Sequence, residues 1–358
     1  MFHRAIAVSL LVACSAPVTT DAPASAWQLA LGGHAPLPVG RLEPGVTALG
    51  DQLVIVGGFD FAAGFDTRVD VFDTLCTADP PTLCWNAHPL PPAPVARTHI
   101  QLAGIGQTLY LLGGLEGPQF IARGDSYKLD TLVTPLVWQP IASMPAGLER
   151  GSAAIVISPP RIYLFGGAST TAALASNIFY DIELNAWCPG AACPPSEQLP
   201  DLPEPRSHPA AMRRIDGSFV VVGGLATLFA DSARDNVWIL TPTTTNPLMW
   251  NPWQISTHPM PTPRGGCAYG VLQGRLVCAG GEAGTSALAV TEAYDPNIDV
   301  PNSATSPWTT LEPIPSPRAG TQGAAIGQRL FVPGGAAALA FEPLDTLWVF
   351  SPLDVAPR

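Results

Sequence analysis

Six four-residue apolar runs, over 53–56, 109–112, 162–165, 219–222, 276–279 and 330–333, each stop at a glycine doublet. The doublets are Gly57-Gly58, Gly113-Gly114, Gly166-Gly167, Gly223-Gly224, Gly280-Gly281 and Gly334-Gly335, separated by 56, 53, 57, 57 and 54 residues. Short apolar runs closed by glycine predict buried strands ended by turns. A period of this length predicts a repeat architecture, in which each copy buries its faces against its neighbours.

Other positions keep the same register. Arg41, Arg97, Arg150, Arg206, Arg264 and Arg318 each stand 16 or 17 residues before a first glycine. Phe72, Tyr127, Tyr180, Trp238, Tyr294 and Trp348 stand 13 or 14 after a second one. Trp85, Trp138, Trp187, Trp253 and Trp308 precede the next arginine. This set of apolar run, Gly-Gly, spaced Tyr-Asp and Trp resembles the kelch repeat over roughly residues 27–352. The resemblance implies an all-β, six-bladed kelch-type β-propeller with four antiparallel strands per blade. The sixth copy ends at Trp348-Val349-Phe350 without a tryptophan strand of its own, while Trp27-Gln28-Leu29 lies fourteen residues before Arg41. The N-terminal strand is therefore expected to complete the last blade and close the ring, removing its open edges. Pro333 departs from the run pattern, and irregular pairing is expected there because proline gives no N–H to a ladder.

The sequence opens on Met1-Phe2-His3-Arg4, a short positive start, then an apolar run from Ala5 to Ala13 too short to span a bilayer, ending in Leu11-Val12-Ala13-Cys14. This resembles the bacterial lipobox, which implies a signal peptide over 1–13, lipidation of Cys14, a flexible tether over 14–26 and a single propeller domain over 27–358. The expected setting is export to the bacterial cell envelope with a membrane attachment through the lipid. The other cysteines fall into three sequence-local couples, Cys76 with Cys84, Cys188 with Cys193 and Cys267 with Cys278. Their spacing lacks a C-x2-C pair with histidine partners, so disulfides are expected rather than zinc. Lys128 is the one lysine, and 28 acidic against 17 basic residues give a net charge of −11. That balance excludes a nucleic-acid partner.

Candidate chemistry rests on the repeat positions. By the resemblance, the inner strand of each blade lines a central channel, and the six arginines would stand at its mouth as donors for carboxylates. The alternative is that each arginine locks the ring, with Glu43, Glu149, Asp201 and Glu204 as candidate partners. Two residues beyond the arginines lie Glu43, His99, Ser152, His208, Gly266 and Gly320. Glu43, His99 and His208 are thus candidate ligand-binding groups, but on three separate blades, so a shared metal is not expected and no cofactor is assigned. His34, His88 and His258 are expected to be solvated. Phenylalanines in the segments after the doublets, including Phe59, Phe61, Phe65 and Phe120, are expected either to fold back or to meet a partner. No nucleophile–base, nucleotide or zinc-protease motif occurs. A module binding protein or glycan is the leading expectation. The alternative is an isomerase similar to the periplasmic sugar-acid mutarotases of the N-acetylneuraminate epimerase family.

Overall fold

The computed structural model describes residues 26–60, 64–339 and 342–352. The expected signal segment, Cys14 and the tether up to residue 25 lie outside the described residues, as does Phe61. Six antiparallel sheets form a ring of six blades. Their inner strands are Gly45–Leu49, Gln101–Ile105, Ala154–Ser158, Ala210–Arg213, Ala268–Leu272 and Ala324–Ile326. The second strands, Gln52–Val56, Thr108–Glu116, Arg161–Phe165, Phe219–Val222, Arg275–Ala279 and Arg329–Pro333, carry the apolar runs. They read as unbroken apolar stretches because neighbouring blades cover both of their faces. In blade 1, Leu53 and Ile55 join the apolar cluster shared with blade 6, while Val54 and Val56 join the one shared with blade 2.

Closure follows the expectation. Trp27, Gln28 and Leu29 pair with Phe350, Val349 and Trp348, which makes the sixth sheet four-stranded. Ala26, expected at the end of a free tether, is already docked: it is buried, and its N–H donates to the Glu312 carboxylate at 2.7 Å. The six indole N–H groups of Trp27, Trp85, Trp138, Trp187, Trp253 and Trp308 donate to carbonyls of Glu312, Ala35, Pro91, Ala142, Pro200 and His258. Each ties the outer edge of one blade to the end of the preceding one.

Two departures are local. Blade 1 has three strands, and its outer edge is reduced to a single bridge between Phe72 and Trp85. The segment before Trp85 turns through a short 3-10 helix, Pro81–Cys84, which the Cys76–Cys84 disulfide holds. In blade 6 the inner ladder stops at Ala324 opposite Phe331, so Pro333 has a partner only in Leu347. The other cysteine couples, Cys188–Cys193 and Cys267–Cys278, are also joined.

Candidate functional site

The repeat arginines do not line a mouth. All six are 0–2% exposed, and each guanidinium reaches across its own blade. Their side-chain partners at the third strand are Asp70, Asp125, Ser176, Asn236, Glu292 and Thr346. Arg41, Arg150 and Arg206 also donate to the carbonyl of the first glycine of their own doublet. Of the acids expected as partners, Glu204 meets Arg206 at 2.9 Å, while Glu149 and Asp201 act on Arg150 only through space. Glu43 is not a partner of Arg41. Burial decides this placement: a guanidinium closed inside a blade must find its partners there, and each does so through its terminal nitrogens, while the Nε of Arg41, Arg97, Arg264 and Arg318 is left without one.

The arginine main chain joins blades. The carbonyls of Arg97, Arg150, Arg206, Arg264, Arg318 and Arg41 accept from the N–H of the preceding blade's second glycine, Gly58, Gly114, Gly167, Gly224, Gly281 and Gly335, at 2.7–3.2 Å. A Cβ on Gly57 would lie 2.4 Å from the Arg97 carbonyl oxygen, which explains why a residue without one stands there.

Two residues further on, the chain forms a collar. Glu43, His99, Ser152 and His208 share the left-handed backbone conformation, with φ of 49°, 54°, 54° and 53°, and Gly266 and Gly320 adopt it as well. Backbone hydrogen bonds run unbroken from Gly320 to Glu43, His99, Ser152, His208 and Gly266, at 2.7–3.0 Å. Four side chains strained in this way in one ring are a device for aiming them. Separation between blades therefore does not keep them apart. His99 Nε2 lies 3.8 Å from Glu43 Oε2, His208 Nε2 lies 3.8 Å from Glu43 Oε1, and the two imidazoles are 5.3 Å apart.

With no ion bound, burial disfavours the charged form of each of these three side chains. Burial, reinforced by the nearby Glu282 carboxylate, pushes the Glu43 carboxyl up to about 8. Burial pulls His208 down to about 4, and burial with the neighbouring His208 holds His99 well below the ordinary imidazole value. Glu282, which burial also raises, was missed in the sequence. It follows directly on Gly281, where the other copies carry Phe59, Leu115, Ala168, Leu225 and Ala336. An ionisable group in that otherwise apolar column was the available signal.

Below the collar the channel encloses about 390 Å3, lined from Glu43, Ser152 and His208 through Val46, Leu102 and Ala211 to Ile157, Arg213 and Val271. Ties between blades cross it. The Tyr269 hydroxyl of blade 5 accepts from Ile155 N of blade 3 at 2.9 Å, and Gln322 of blade 6 bridges Val46 N and the Ile100 carbonyl. Above the collar, Phe59, Phe65 and Phe120 meet at centroid distances of 5.6–5.7 Å, and Phe120 stands edge-on to His99 at 5.8 Å. These phenylalanines fold together across blades 1 and 2, whereas Phe229 of blade 4 is 70% exposed.

Residues 43–281 match the KLHDC2/KLHL20/DRC7 Kelch-repeats domain. The chain is 29% identical over 308 residues to the Kelch-like protein terF of Aspergillus terreus, an alignment covering 82% of this chain and 61% of that protein. The chain thus spans about three-fifths of that relative's length. It is also similar to the solved structure of YjhT, with a TM-score of 0.67, 14% identity, and 89% of this chain and 97% of that one covered. At that identity the likeness concerns the fold alone.

Proposed function

This chain belongs to the KLHDC2/KLHL20/DRC7 Kelch-repeats family, and we propose that it is a binding module that seats a protein partner on the collar face of its propeller. Kelch propellers are suited to protein interaction, and the family membership supports a binding role rather than a catalytic one. The observation that carries the reading is what this face presents once the six guanidiniums are drawn into the blades. The clustered Phe65 and Phe120 on one side and the exposed Phe229 on another flank a small polar well. Aromatic side chains around such a well suit an inserted loop of a protein partner. The arginines that do reach the surface nearby, Arg68, Arg123 and Arg234, are paired with Asp70, Glu116 and Glu204. Each of these three guanidiniums already faces a carboxylate, so they lend the sugar-acid isomerase alternative no specific support.

The proposal extends to place. Three disulfides in short segments, with a positive, then apolar start ending at Cys14, support an exported propeller held to the bacterial envelope by a lipid. The test is photo-crosslinking in the native host, with the reactive residue at position 229 or, as a control, at position 215. Ile215 is fully exposed on the turn between the first two strands of blade 4, at the opposite face. A discrete protein adduct from position 229 and none from 215 is expected. Equal adducts from both, or none from 229, would remove the collar-face reading.

A further inference from the structure

The collar holds a second kind of site, independent of the rim. We propose that Glu43, His99 and His208 bind one divalent transition-metal ion of the zinc class at the top of the channel. One donor atom from each of the three lies within 4.8 Å of the other two, and the set comprises two imidazole nitrogens and a carboxylate oxygen.

Hydrogen bonding does not account for this cluster. Both Glu43–His separations are 3.8 Å, beyond hydrogen-bond range. His208 Nε2, His99 Nδ1 and the Ser152 hydroxyl of the intervening collar position are buried without a partner. Buried polar atoms are nearly always satisfied, and although the Nε atoms of Arg41, Arg97, Arg264 and Arg318 also lack a partner, these three lie together on one collar. An ion joined to His208 Nε2 and the Glu43 carboxylate gives the first of them its missing partner.

The hydrogen bonds behind His208 point the same way. The Ser207 hydroxyl donates to the Thr227 carbonyl at 2.7 Å, so towards His208 Nδ1, 3.3 Å away, it can only accept. Nδ1 therefore carries the proton, and Nε2 turns a bare lone pair towards Glu43. Fixing the ligating nitrogen by a hydrogen bond on the other one is the usual arrangement behind a metal-bound histidine. The backbone is equally fixed, because the three residues sit in a continuous run of backbone hydrogen bonds from blade to blade and not on free loops.

Donor chemistry selects the ion. Calcium and magnesium prefer all-oxygen sets, whereas imidazole suits zinc, copper, iron and nickel. Zinc bonds of about 2.0–2.2 Å require the three side chains to close inwards by a few tenths of an ångström. Three protein ligands leave a coordination position for water or an incoming group. Glycine at the fifth and sixth collar positions keeps that side open: a Cβ on Gly320 would stand 3.6 Å from Glu43 Oε1.

The test uses tag-free protein, stripped with a chelator and titrated with zinc by calorimetry and with cobalt by visible absorption. One ion per chain is expected, with a cobalt spectrum containing nitrogen ligands. His208→Ala and Glu43→Gln should each weaken zinc binding by more than 100-fold, while Ser207→Ala, which keeps every ligand, should cost about 10–100-fold. His258→Gln and Phe229→Ser should bind as wild type, so loss of partner crosslinking and loss of metal remain distinguishable. If a collar variant does not fold, anomalous diffraction at the zinc edge from metal-soaked wild-type crystals decides the matter. No stoichiometric ion in wild type, an ion placed elsewhere, or unchanged affinity in folded His208→Ala would overturn the proposal.

Discussion

Gly50 and Gly57 have nearly the same backbone, with φ of +61° and +63°, and differ in what surrounds them. A Cβ on Gly50 meets nothing within 4 Å, whereas one on Gly57 strikes the Arg97 carbonyl oxygen of the next blade. Gly50→Ala should therefore cost only the left-handed conformation, about 1–2 kcal/mol. Gly57→Ala should cost about 3–5 kcal/mol, because the seam between blades 1 and 2 must also shift. Urea unfolding of the two variants measures the difference. The buried arginines separate in a similar way. Arg264 lies against the buried Glu292, so Arg264→Met strands a carboxylate and should cost about 3–5 kcal/mol. Arg318, which burial pulls down to about 10, meets the Thr346 and Ser316 hydroxyls and nearby carbonyls. Arg318→Met should cost less, about 1–3 kcal/mol. At this scale the register was legible and the role was not. A conserved spacing of arginines within one chain looks the same whether the side chain turns out to a ligand or in to Asp70 and Glu292. Only the depth of the surrounding strands distinguishes the two.

Strands were legible because alternation and glycine punctuation are written locally; the loops that join them were not. His258 shows why. It occupies a turn without any ligand spacing, yet its Nδ1 lies 2.8 Å from Asp299 and its Nε2 2.9 Å from the Ser303 carbonyl. Both partners lie more than 40 residues away, in the loop between the third and outer strands of blade 5. Asp299 also accepts from the Tyr294 and Ser256 hydroxyls, so this one carboxylate joins the ends of blades 4 and 5. The Ser303 carbonyl and then Asp299 raise the His258 value above that of a free imidazole. A raised folded-state value means that the contribution is fully present below about pH 6.5 and is lost as pH rises through the folded value. The stability gap between wild type and His258→Gln should therefore be wide at acid pH and narrow under alkaline conditions. Urea midpoints across that range would show it, and a gap that widened with pH would contradict the pairing. Blade 1 makes the same point about loops: its Trp85 was legible, but the loss of a regular outer strand to the stapled Pro81–Cys84 turn was not.

At the scale of the whole ring, the collar's members were legible as equivalent repeat positions, but the meeting of Glu43, His99 and His208 was not, because they are 56 and 109 residues apart. Their meeting depends on the radius at which six left-handed residues close on one another, a property of no single repeat. Closure itself was legible, since a tryptophan missing at one end was present at the other. The six seams are built alike, from an arginine carbonyl on a glycine N–H, an apolar cluster and an indole N–H on a carbonyl. Five of them join blades that are continuous in sequence, whereas the last blade is completed by the distant segment Trp27–Leu29. Trp27 is 2% exposed and packs at a tilt against Phe350, with ring centroids 5.1 Å apart; Trp308 is 7% exposed and packs in the same way against Tyr294 at 5.2 Å. By burial, truncating either to alanine should cost about 3–5 kcal/mol. The consequences for association should differ. Trp308 belongs to a strand held at Leu311, Thr310 and Thr309 as well, and the chain runs on from it into the next blade. Trp27 anchors a three-residue strand at the start of the propeller, and its loosening bares the edge of Leu347–Phe350. An unpaired edge recruits other strands, including those of a second copy of the chain. Trp27→Ala should therefore be both less stable and self-associating as concentration rises, whereas Trp308→Ala should be less stable but monodisperse. Urea unfolding together with light scattering across a concentration series separates the two, and equal association of both variants would mean that the terminal strand is not the ring's lock.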